Sequence, residues 1–389
     1  MSIRFLTSGE SHGKALTAVI EGIPAGLAID LKTIECEMAR RKLGFGRGER
    51  QKIETDSVEI LSGVRHGLTL GSPVTLSIRN RDWDNWSEIM SVEPTTQSPE
   101  RVVSIPRPGH ADYVGALKYG HEDMRNVLER ASARETAARV AVGTIARIFL
   151  REIGIECASR VVQIGKARDL SECSKPLVEI NACVDRSPVR CLDATIEKVM
   201  IAEIERAKSE GNTLGGVFEV YVSGLPVGLG SYVQWDRRLD GKLAQAFISL
   251  NAIKGVEIGN GFQLAGLLGS EVHDEFVVGN RSGQVLRKSN RSGGIEGGMS
   301  TGEWLCIRAA MKPLSTLAKP LTSVNLKDGV SSKAHFERSD ITAVPSAAVI
   351  GESLAALVIV EAVLEKFGGD SWGELLERVT RWNCKTKSN

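Results

Sequence analysis

Two histidines stand in segments that would hold their rings in fixed places. His12 lies in Gly9-Glu-Ser-His-Gly13, directly after the extended run IRFLTS. His110 lies in Pro106-Arg-Pro-Gly-His-Ala-Asp112, where two prolines stiffen the backbone. Histidine titrates near neutral pH, so both rings are candidate proton donors. We expect the remaining histidines to be structural or exposed: His66, His121, His273 and His335.

The first of these segments also fits G-x-S-x-G, the nucleophile elbow of an α/β-hydrolase. That motif needs an upstream strand and loop to supply its oxyanion hole, and only eight residues precede Gly9, so the esterase interpretation is disfavoured. Two interpretations remain. The glycines let backbone approach a ligand while Ser11 and His12 offer polar contacts, or the segment is a structural turn.

Arginines in two segments could bind an anionic ligand. Five cations fall within Arg40–Arg50, and the glycines around Arg47 predict a mobile loop suited to bidentate capture of carboxylate or phosphate. The alternative is a solvated cationic helix end, favoured by the helix dipole. Residues 129–134 (ERASAR) place small side chains between two arginines at the start of a predicted helix, where amide donors are unsatisfied.

Two later segments offer backbone or carboxylate chemistry. Residues 292–302 (SGGIEGGMSTG), followed by KPLST at 312–316, allow close backbone approach to an anionic cofactor, although a tight β-turn explains them equally well. They lack the G-K-[ST] sequence that ends a P-loop, and they do not lie between a strand and a helix as a Rossmann fingerprint does. Asp340, in Arg338-Ser-Asp340, either caps the final predicted helix or takes part in chemistry.

Composition limits the class of protein. The 389 residues carry 49 basic and 48 acidic side chains, a balance that argues against a general nucleic-acid or membrane-surface binder. Seven scattered cysteines without a C-x-x-C pair argue against a disulfide framework or structural zinc site. No signal peptide is visible, and the apolar run 347–363, interrupted by Glu352 and Glu361, predicts a buried helix. We expect a cytoplasmic protein.

The periodicity predicts alternating helices and strands. Strands are expected within Val58–Asn80, around a glycine-rich turn, and at Val217–Val222. Helices are predicted at Asp30–Leu43, Glu129–Ile153, Ala194–Ser209, Leu243–Leu250 and Ser346–Phe367.

A weak internal repeat crosses the chain. Gly22–Leu27 (GIPAGL) matches Gly224–Leu229 (GLPVGL), and Gly63–Gly71 matches Gly294–Gly302 in the same order. Chance similarity of glycine-rich turns is the alternative, but the shared order favours duplication. No linker rich in proline or serine separates the copies, so we predict one α+β domain over 1–389, with related halves of about 1–215 and 216–389.

Together these motifs resemble the chorismate synthase family, in order from residue 4 to about residue 365. The resemblance rests on 9–24 (GESHGKALTAVIEGIP), 129–145 (ERASARETAARVAVGTI) and 338–354 (RSDITAVPSAAVIGESL), with PRPGHAD, LNAIKG at 250–255, GGIEGGMSTG and KPLST. It implies a single-domain β-α-β sandwich, a homotetramer and bound reduced FMN. The implied reaction is the 1,4-elimination of phosphate from 5-enolpyruvylshikimate 3-phosphate, the last step of the shikimate pathway, without net redox change.

The resemblance also implies roles for individual residues. His12, His110 and Asp340 look like the family's proton-transfer residues, and Arg41, Arg47 and Arg134 like its arginines for the anionic substrate or NADPH. The positions matching its FMN contacts are Arg130, Ala131, Ser132, Asn251, Ala252, Gly297, Lys312, Pro313, Leu314, Ser315, Thr316 and Arg338. The competing classes are a flavin oxidoreductase and a non-enzymatic flavin-binding protein. The source of electrons for the flavin, NADPH or an external reductase, stays open.

Overall fold

The structure, a computed structural model, describes residues 3–48, 54–94, 101–171, 176–280, 284–337 and 339–388. The strands of the larger sheets are β1 Arg4–Ser8, β2 Ala15–Glu21, β3 Val58–Ser62, β6 Val74–Arg79, β7 Glu156–Ile164, β8 Ala167–Arg168, β9 Gly216–Ser223, β10 Ile253–Ile258 and β15 Leu305–Met311. Short hairpins are β4 Val64–Arg65 with β5 Leu68–Thr69, β11 Phe276–Val278 with β12 Val285–Arg287, β13 Ile295–Glu296 with β14 Met299–Ser300, and β16 Thr322–Val324 with β17 Ser331–Lys333.

The α-helices are α1 Leu31–Lys42, α2 Trp83–Trp86, α3 Asp112–Tyr119, α4 Arg125–Leu128, α5 Thr136–Glu152, α6 Leu177–Val184, α7 Ala194–Ser209, α8 Leu239–Ile248, α9 Gly269–Val272, α10 Val344–Phe367 and α11 Trp372–Ser388. Single 3₁₀ segments lie at Ala133–Glu135, Trp235–Arg237 and Gly261–Gly266.

Two antiparallel sheets are connected through packed helices. One sheet has the order β1-β2-β6-β3 and the other β10-β15-β9-β7-β8. Burial alternates along β2 and β6, so every second side chain faces the helices. Helix α5 packs on the first sheet, α10 packs on the second, and the two helices pack against each other. The protein is thus a mixed α and β structure with its main core around α5 and α10.

Helix α10 is apolar around its whole circumference. In the described part of the chain it is the one helix long and apolar enough to cross a membrane by composition, but 94% of its most apolar 18-residue window is buried inside the protein. The prediction of a buried core helix is therefore confirmed. Its one buried carboxylate, Glu352, is fully enclosed and accepts bonds from Arg40 at 3.0 Å and Ser159 at 2.6 Å, with Arg147 at 2.9 Å.

Most of the predicted elements are confirmed. Asp30 caps α1 by accepting from the Lys32 and Thr33 amides, and α7 occupies 194–209 as predicted. The prediction was wrong at one end of α5, which begins at Thr136 rather than at Glu129. The Ser132 hydroxyl accepts from the Arg134 amide and starts a 3₁₀ turn there, so residues 129–132 lie before the helix.

The segments that repeat in sequence make equivalent contacts. The Thr69 hydroxyl accepts from the Leu27 amide at 2.9 Å and donates to the Pro24 carbonyl at 2.6 Å. The Ser300 hydroxyl accepts from the Leu229 amide at 2.8 Å and donates to the Pro226 carbonyl at 2.6 Å. Hairpin β4–β5 in the first half corresponds in position to β13–β14 in the second.

The predicted boundary between the halves, near residue 215, lies within a sheet. Strand β7, which precedes this boundary, pairs with β9, which follows it, over Glu156–Ile164. In strand order, β7-β9-β15-β10 corresponds to β1-β2-β6-β3. A boundary after α5, between Glu152 and Glu156, would keep each sheet in one half, while the division near residue 215 stays a prediction.

Candidate active site

A cavity of about 770 Å³ opens where several loops meet at the ends of both sheets. The β1–β2 turn, the segment after α1, the turn after α4 and the segment after β15 all contribute to its walls. Among the described residues, six cationic side chains line it: Arg41, Arg47, Arg107, Arg125, Arg134 and Lys312. Four carboxylates also line it: Glu54, Asp82, Glu337 and Asp340. The excess of cations suits an anionic ligand.

The structure brings most of the predicted site residues to this one cavity. Those that line it are His12, Arg41, Arg47, His110, Ala131, Ser132, Arg134, Asn251, Ala252, Lys312, Pro313, Leu314, Ser315, Thr316 and Asp340. Arg130 and Gly297 do not line it, and Arg338 lies outside the described residues. The segments are far apart in sequence, so their convergence is a property of the fold.

His12 is held on one nitrogen and one ring face. Its Nδ1 lies 2.9 and 3.0 Å from the two carboxylate oxygens of Glu129, which also accepts from the His12 amide at 2.8 Å. The imidazole stacks on Trp86 with ring centroids 3.9 Å apart. The guanidinium of Arg125 contacts the same carboxylate at 3.2 Å and lies 5.1 Å from the Trp86 ring centre. This leaves Nε2 as the nitrogen available to a ligand.

His110 has a similar carboxylate partner. Its Nδ1 lies 2.5 Å from Asp112, whose carboxylate also accepts from the Arg107 Nε at 2.8 Å. Burial opposes ionisation of Asp112, but hydrogen bonds from His110 and Arg107 outweigh it and hold the pKa of this carboxyl well below its usual range. Arg107 also donates to Thr316 at 3.0 Å, which connects the His110 segment with KPLST.

Asp340 pairs with the segment that carries Arg47. Its Oδ1 accepts from the Gly48 amide at 2.6 Å, and its Oδ2 lies 3.0 Å from the Arg47 guanidinium. Asp340 does not cap α10, because that helix begins at Val344 and has no side-chain cap. Just before Arg47, the Phe45 amide donates to the Pro188 carbonyl at 2.6 Å and the Gly46 carbonyl accepts from the Ile341 amide at 2.8 Å. The mobility expected of the loop that carries Arg47 stays a prediction.

Arg41 and Arg134 share one buried carboxylate. Asp56 accepts from Arg41 at 2.6 Å and also binds Arg134. Burial raises the pKa of Asp56, but the two arginines outweigh it, so the net shift is downward. Arg41 is fully enclosed, and burial lowers its pKa although Asp56 opposes the shift. A guanidinium stays protonated under such shifts, so both side chains remain cations at the cavity wall.

Among the described residues, the predicted FMN-binding positions line the cavity except for Arg130 and Gly297. Asn251 donates to the Ala131 carbonyl at 3.0 Å, and the Lys312 amide donates to the Ala252 carbonyl at 2.9 Å, so three separate segments are joined. The guanidinium of Arg130 points elsewhere: it donates at 2.9 Å to the Thr7 carbonyl and braces the end of β1. Gly297 forms the turn of the β13–β14 hairpin, away from the cavity.

Sequence analysis missed several residues that line the cavity or contact its lining residues. His335, expected to be structural or exposed, lines the cavity with its Nε2 3.3 Å from Glu337. Glu129 lies in the ERASAR motif and Arg107 in the PRPGHAD motif. Their positions in these motifs were the sequence signal that could have identified them. Trp86 and Arg125 lie in no such motif, and only tertiary contact with His12 and Glu129 reveals them.

Comparison with known proteins decides the family. A family model described as chorismate synthase matches residues 3–364. The chain belongs to the chorismate synthase family. Chorismate synthase of Desulforudis audaxviator strain MP104C is 54% identical over 387 residues, covering 100% of this chain and 99% of that protein. Chorismate synthase of Brevibacillus brevis strain 47 is 51% identical over 391 residues, covering 99% of this chain and 100% of that protein.

A solved structure agrees with this assignment. A crystal structure of a chorismate synthase superposes with a TM-score of 0.80 at 40% identity and covers 100% of this chain and 99% of that one. The chain is accordingly a lyase that forms chorismate in the shikimate pathway. Membership of the chorismate synthase family implies a small-molecule substrate and a requirement for reduced flavin.

Proposed function

We propose that the cavity binds 5-enolpyruvylshikimate 3-phosphate beside reduced FMN and eliminates phosphate in a 1,4 sense without net redox change. The observation that carries this is the convergence of six cations and three histidines on one cavity of about 770 Å³. The substrate bears a phosphate and two carboxylates, so several cations are needed to hold it. We assign Arg41, Arg47 and Arg134 to these anionic groups or to NADPH.

Unsatisfied donors in the cavity wall support an anionic ligand. Arg41 and Arg47 each have a buried Nε–H without a hydrogen-bond acceptor among the described residues. An unpaired buried donor costs about 1–3 kcal/mol, so the two guanidiniums retain donor capacity that the described contacts do not use. We propose that the flavin lies along the wall formed by Ala131, Ser132, Asn251, Ala252 and Lys312–Thr316. Contacts from Arg130, Gly297 and Arg338 stay predictions from the family resemblance.

We assign the acid–base residues as follows. Cleavage of the allylic C–O bond places negative charge on the departing phosphate oxygen, and a cationic His12 neutralises it with a proton from Nε2. His110, held by Asp112, stabilises the reduced flavin ring, and Asp340 acts near the hydrogen lost from C6. Reduced flavin, when bound, supplies electron density and recovers it, chemistry that side chains alone perform poorly because the C6 hydrogen is not acidic.

One assay tests this function. Under nitrogen, with chemically reduced FMN in catalytic amount, chorismate absorbance should appear from 5-enolpyruvylshikimate 3-phosphate without further consumption of reductant. Oxidised FMN in air, without reductant, should give no product. Stoichiometric consumption of reductant with net reduction of the substrate would instead indicate a flavin oxidoreductase. Flavin binding without any turnover of this substrate would indicate a non-enzymatic flavin-binding protein.

The source of reduced flavin needs its own experiment. The family resemblance leaves two sources: NADPH oxidised by the enzyme itself, or an external reductase. Adding NADPH, oxidised FMN and substrate under nitrogen separates them, because only a bifunctional enzyme makes chorismate in that mixture. Arg47→Ala is an informative variant there. It should raise the NADPH requirement if Arg47 contacts that molecule.

We infer that the fold is a single-domain β-α-β sandwich made of duplicated halves related by a pseudo-twofold axis. Three features support this inference: the corresponding strand orders of the two sheets, the matched contacts of Thr69 and Ser300, and the packing of α5 against α10. Superposition of residues 4–152 on 156–367 tests it. The two sheets and the two long helices should coincide after a rotation of about 180°.

We also propose a cytoplasmic homotetramer. Apolar side chains exposed on helix α3, Val114 at 68% and Leu117 at 65%, and on hairpin β11–β12, Val278 at 88%, are surfaces that subunit contacts would bury. Light scattering after size-exclusion chromatography should give a mass of four times 42.0 kDa. A monomeric mass at micromolar concentration would contradict this assembly.

A further inference from the structure

The partner of His12 restricts where this ring can carry a proton. Both oxygens of the Glu129 carboxylate lie within 3.0 Å of Nδ1, and an ionised carboxylate only accepts hydrogen bonds. Nδ1 therefore has to carry hydrogen whenever Glu129 is ionised. In the neutral ring Nε2 is then a bare acceptor, and in the cation it is a donor. Proton exchange is confined to one nitrogen.

Several contacts fix Glu129 in this role. Its side chain is fully buried, and one oxygen is also engaged by the His12 amide at 2.8 Å. Its own backbone carbonyl accepts from the Ser11 amide at 3.0 Å, which ties the turn after α4 to the turn that carries His12. A half-turn of the imidazole about Cβ–Cγ would place Cδ2 where Nδ1 lies and break the contact with Glu129, and intermediate angles would lose the stacking on Trp86.

Charged groups surround this ring and its carboxylate partner. Arg125 contacts the Glu129 carboxylate at 3.2 Å and lies 3.6 Å from Glu337. Burial raises the pKa of Glu337, but a hydrogen bond from His335 and the charges of Arg107 and Arg125 outweigh it and lower that pKa to about 2. Charged groups on the segments packed around His12 include Glu129, Arg125, Glu337 and Asp82, and the Asp82 carboxylate accepts from Trp86 Nε1 at 3.1 Å.

We propose that Glu129 is a positioning residue that keeps hydrogen on Nδ1 of His12, so that Nε2 alone gives and regains the proton in the reaction. This rests on the proposed role of His12 as the acid. The proton passes from Nε2 to the departing phosphate oxygen, which leaves a neutral ring with hydrogen on Nδ1. Nε2 then takes a proton from solvent before the next turnover, so charge and protons balance.

The tautomer of His12 can be measured directly. In full-length protein with ¹⁵N-labelled histidine, the ¹⁵N shifts of the two ring nitrogens distinguish protonated from bare nitrogen, and His12→Gln identifies the signals by their loss. At alkaline pH the wild-type ring should carry hydrogen on Nδ1, the less populated form of free histidine in water. Finding hydrogen on Nε2 instead would overturn the proposal without any variant being made.

Variants then test the role of Glu129. Glu129→Gln should shift the neutral ring towards the Nε2–H form and lower kcat about 10- to 100-fold, while the dissociation constants for substrate and FMN change less than about threefold. Glu129→Asp keeps a carboxylate and should retain the Nδ1–H form. Asp112→Asn, beside His110, should leave the His12 signals unchanged. An unchanged tautomer and kcat in Glu129→Gln would contradict the proposal.

These experiments also distinguish failure of the acid role of His12 from failure of the positioning role of Glu129. If His12→Ala turned over at the wild-type rate while wild-type His12 still carried hydrogen on Nδ1, the acid role would be wrong. The influence of Glu129 on the tautomer would stand in that case. If instead His12→Ala were inactive and the tautomer did not respond to Glu129→Gln, His12 would remain the acid and Glu129 would not position it.

Discussion

Asp340 receives the Arg47 guanidinium at 3.0 Å on one carboxylate oxygen and the Gly48 amide at 2.6 Å on the other. A residue assigned to the substrate's anionic groups and one assigned to proton transfer therefore neutralise each other across the cavity. An anionic ligand that draws Arg47 towards itself would separate this ion pair. Under the roles proposed for the two residues, the pair would connect substrate binding with acid–base chemistry.

Replacing Arg47 should mainly weaken substrate binding. Arg47→Ala removes a cation from the wall, so KM for 5-enolpyruvylshikimate 3-phosphate should rise about 10- to 100-fold, the usual value of a hydrogen bond to a charged group. The FMN dissociation constant should change much less. Steady-state kinetics measures the substrate KM, and flavin fluorescence titration measures the FMN dissociation constant. Arg47→Lys is the matched control, and equal losses for both ligands would contradict a substrate role.

Replacing the three proton-transfer candidates should slow turnover and spare binding. His12→Ala, His110→Ala and Asp340→Ala should each lower the single-turnover rate about 10²- to 10⁴-fold, the range for a positioned proton donor or acceptor. Substrate and FMN dissociation constants measured on the same proteins serve as the control. A near wild-type rate in any one variant would remove that residue from the assignment.

Matched glycines in the two halves should respond alike to substitution. Gly63 and Gly294 have φ values of 81° and 85°, and an added Cβ would collide with the carbonyl oxygen of the residue ten positions later in each case. Gly63→Ala and Gly294→Ala should each cost at least about 2 kcal/mol of unfolding free energy, since the left-handed region alone costs about 1–2 kcal/mol. Urea midpoints at fixed protein concentration measure this.

The control for these glycines is Gly266→Ala. Gly266 has open space around its Cβ direction and no positive φ, so its substitution should change the midpoint little. Strong destabilisation at Gly63 but none at Gly294 would show that the two hairpins are not equivalent.

Acid should weaken the protein through Glu352. Burial opposes its ionisation, but Arg40, Arg147 and Arg190 outweigh that and lower the pKa of Glu352 from 4.5 to about 2. A lowered carboxyl pKa stabilises the fold above about pH 4.5, and this contribution, on the order of 3 kcal/mol, is lost as pH falls from 4.5 towards 2. Thermal melts of wild type and Glu352→Gln should therefore differ most near pH 7 and converge in acid. A difference independent of pH would contradict this pKa.

The sequence predicted the regular elements well where periodicity or caps were strong. Helices α1 and α7 begin after aspartate caps, and the apolar run of α10, interrupted by Glu352 and Glu361, predicted a buried helix. The prediction failed at residues 129–135, because a 3₁₀ turn at Ala133–Glu135, capped by Ser132, precedes the helix that begins at Thr136. The sequence also did not predict that strands on either side of residue 215 pair with each other. Pairing of β7 with β9 joins segments about 60 residues apart, and periodicity carries no such long-range information.

Site residues were predicted only within motifs, and contacts between distant segments were not predicted. Family resemblance identified His12, His110 and Asp340, and all three line the cavity. It could not show that Asp340 binds Arg47, since 293 positions separate them in the printed sequence. Trp86 could not be predicted for the same reason, because no sequence pattern indicates that it stacks on His12. Charge pairing and ring stacking between distant segments are consequences of the fold.

Helix α10 has a consequence for how the protein is made. It begins at Val344, after the segments that form both sheets, yet it contacts α1, α5, β7 and β9, so both sheets need it. A nascent chain on the ribosome therefore displays the apolar faces of α5 and of the second sheet until residues 344–367 have been made. A chain ended by a premature stop codon before residue 344 lacks the segment that joins its two sheets. Chaperones that bind exposed apolar surface would therefore be needed on these faces until α10 has been translated.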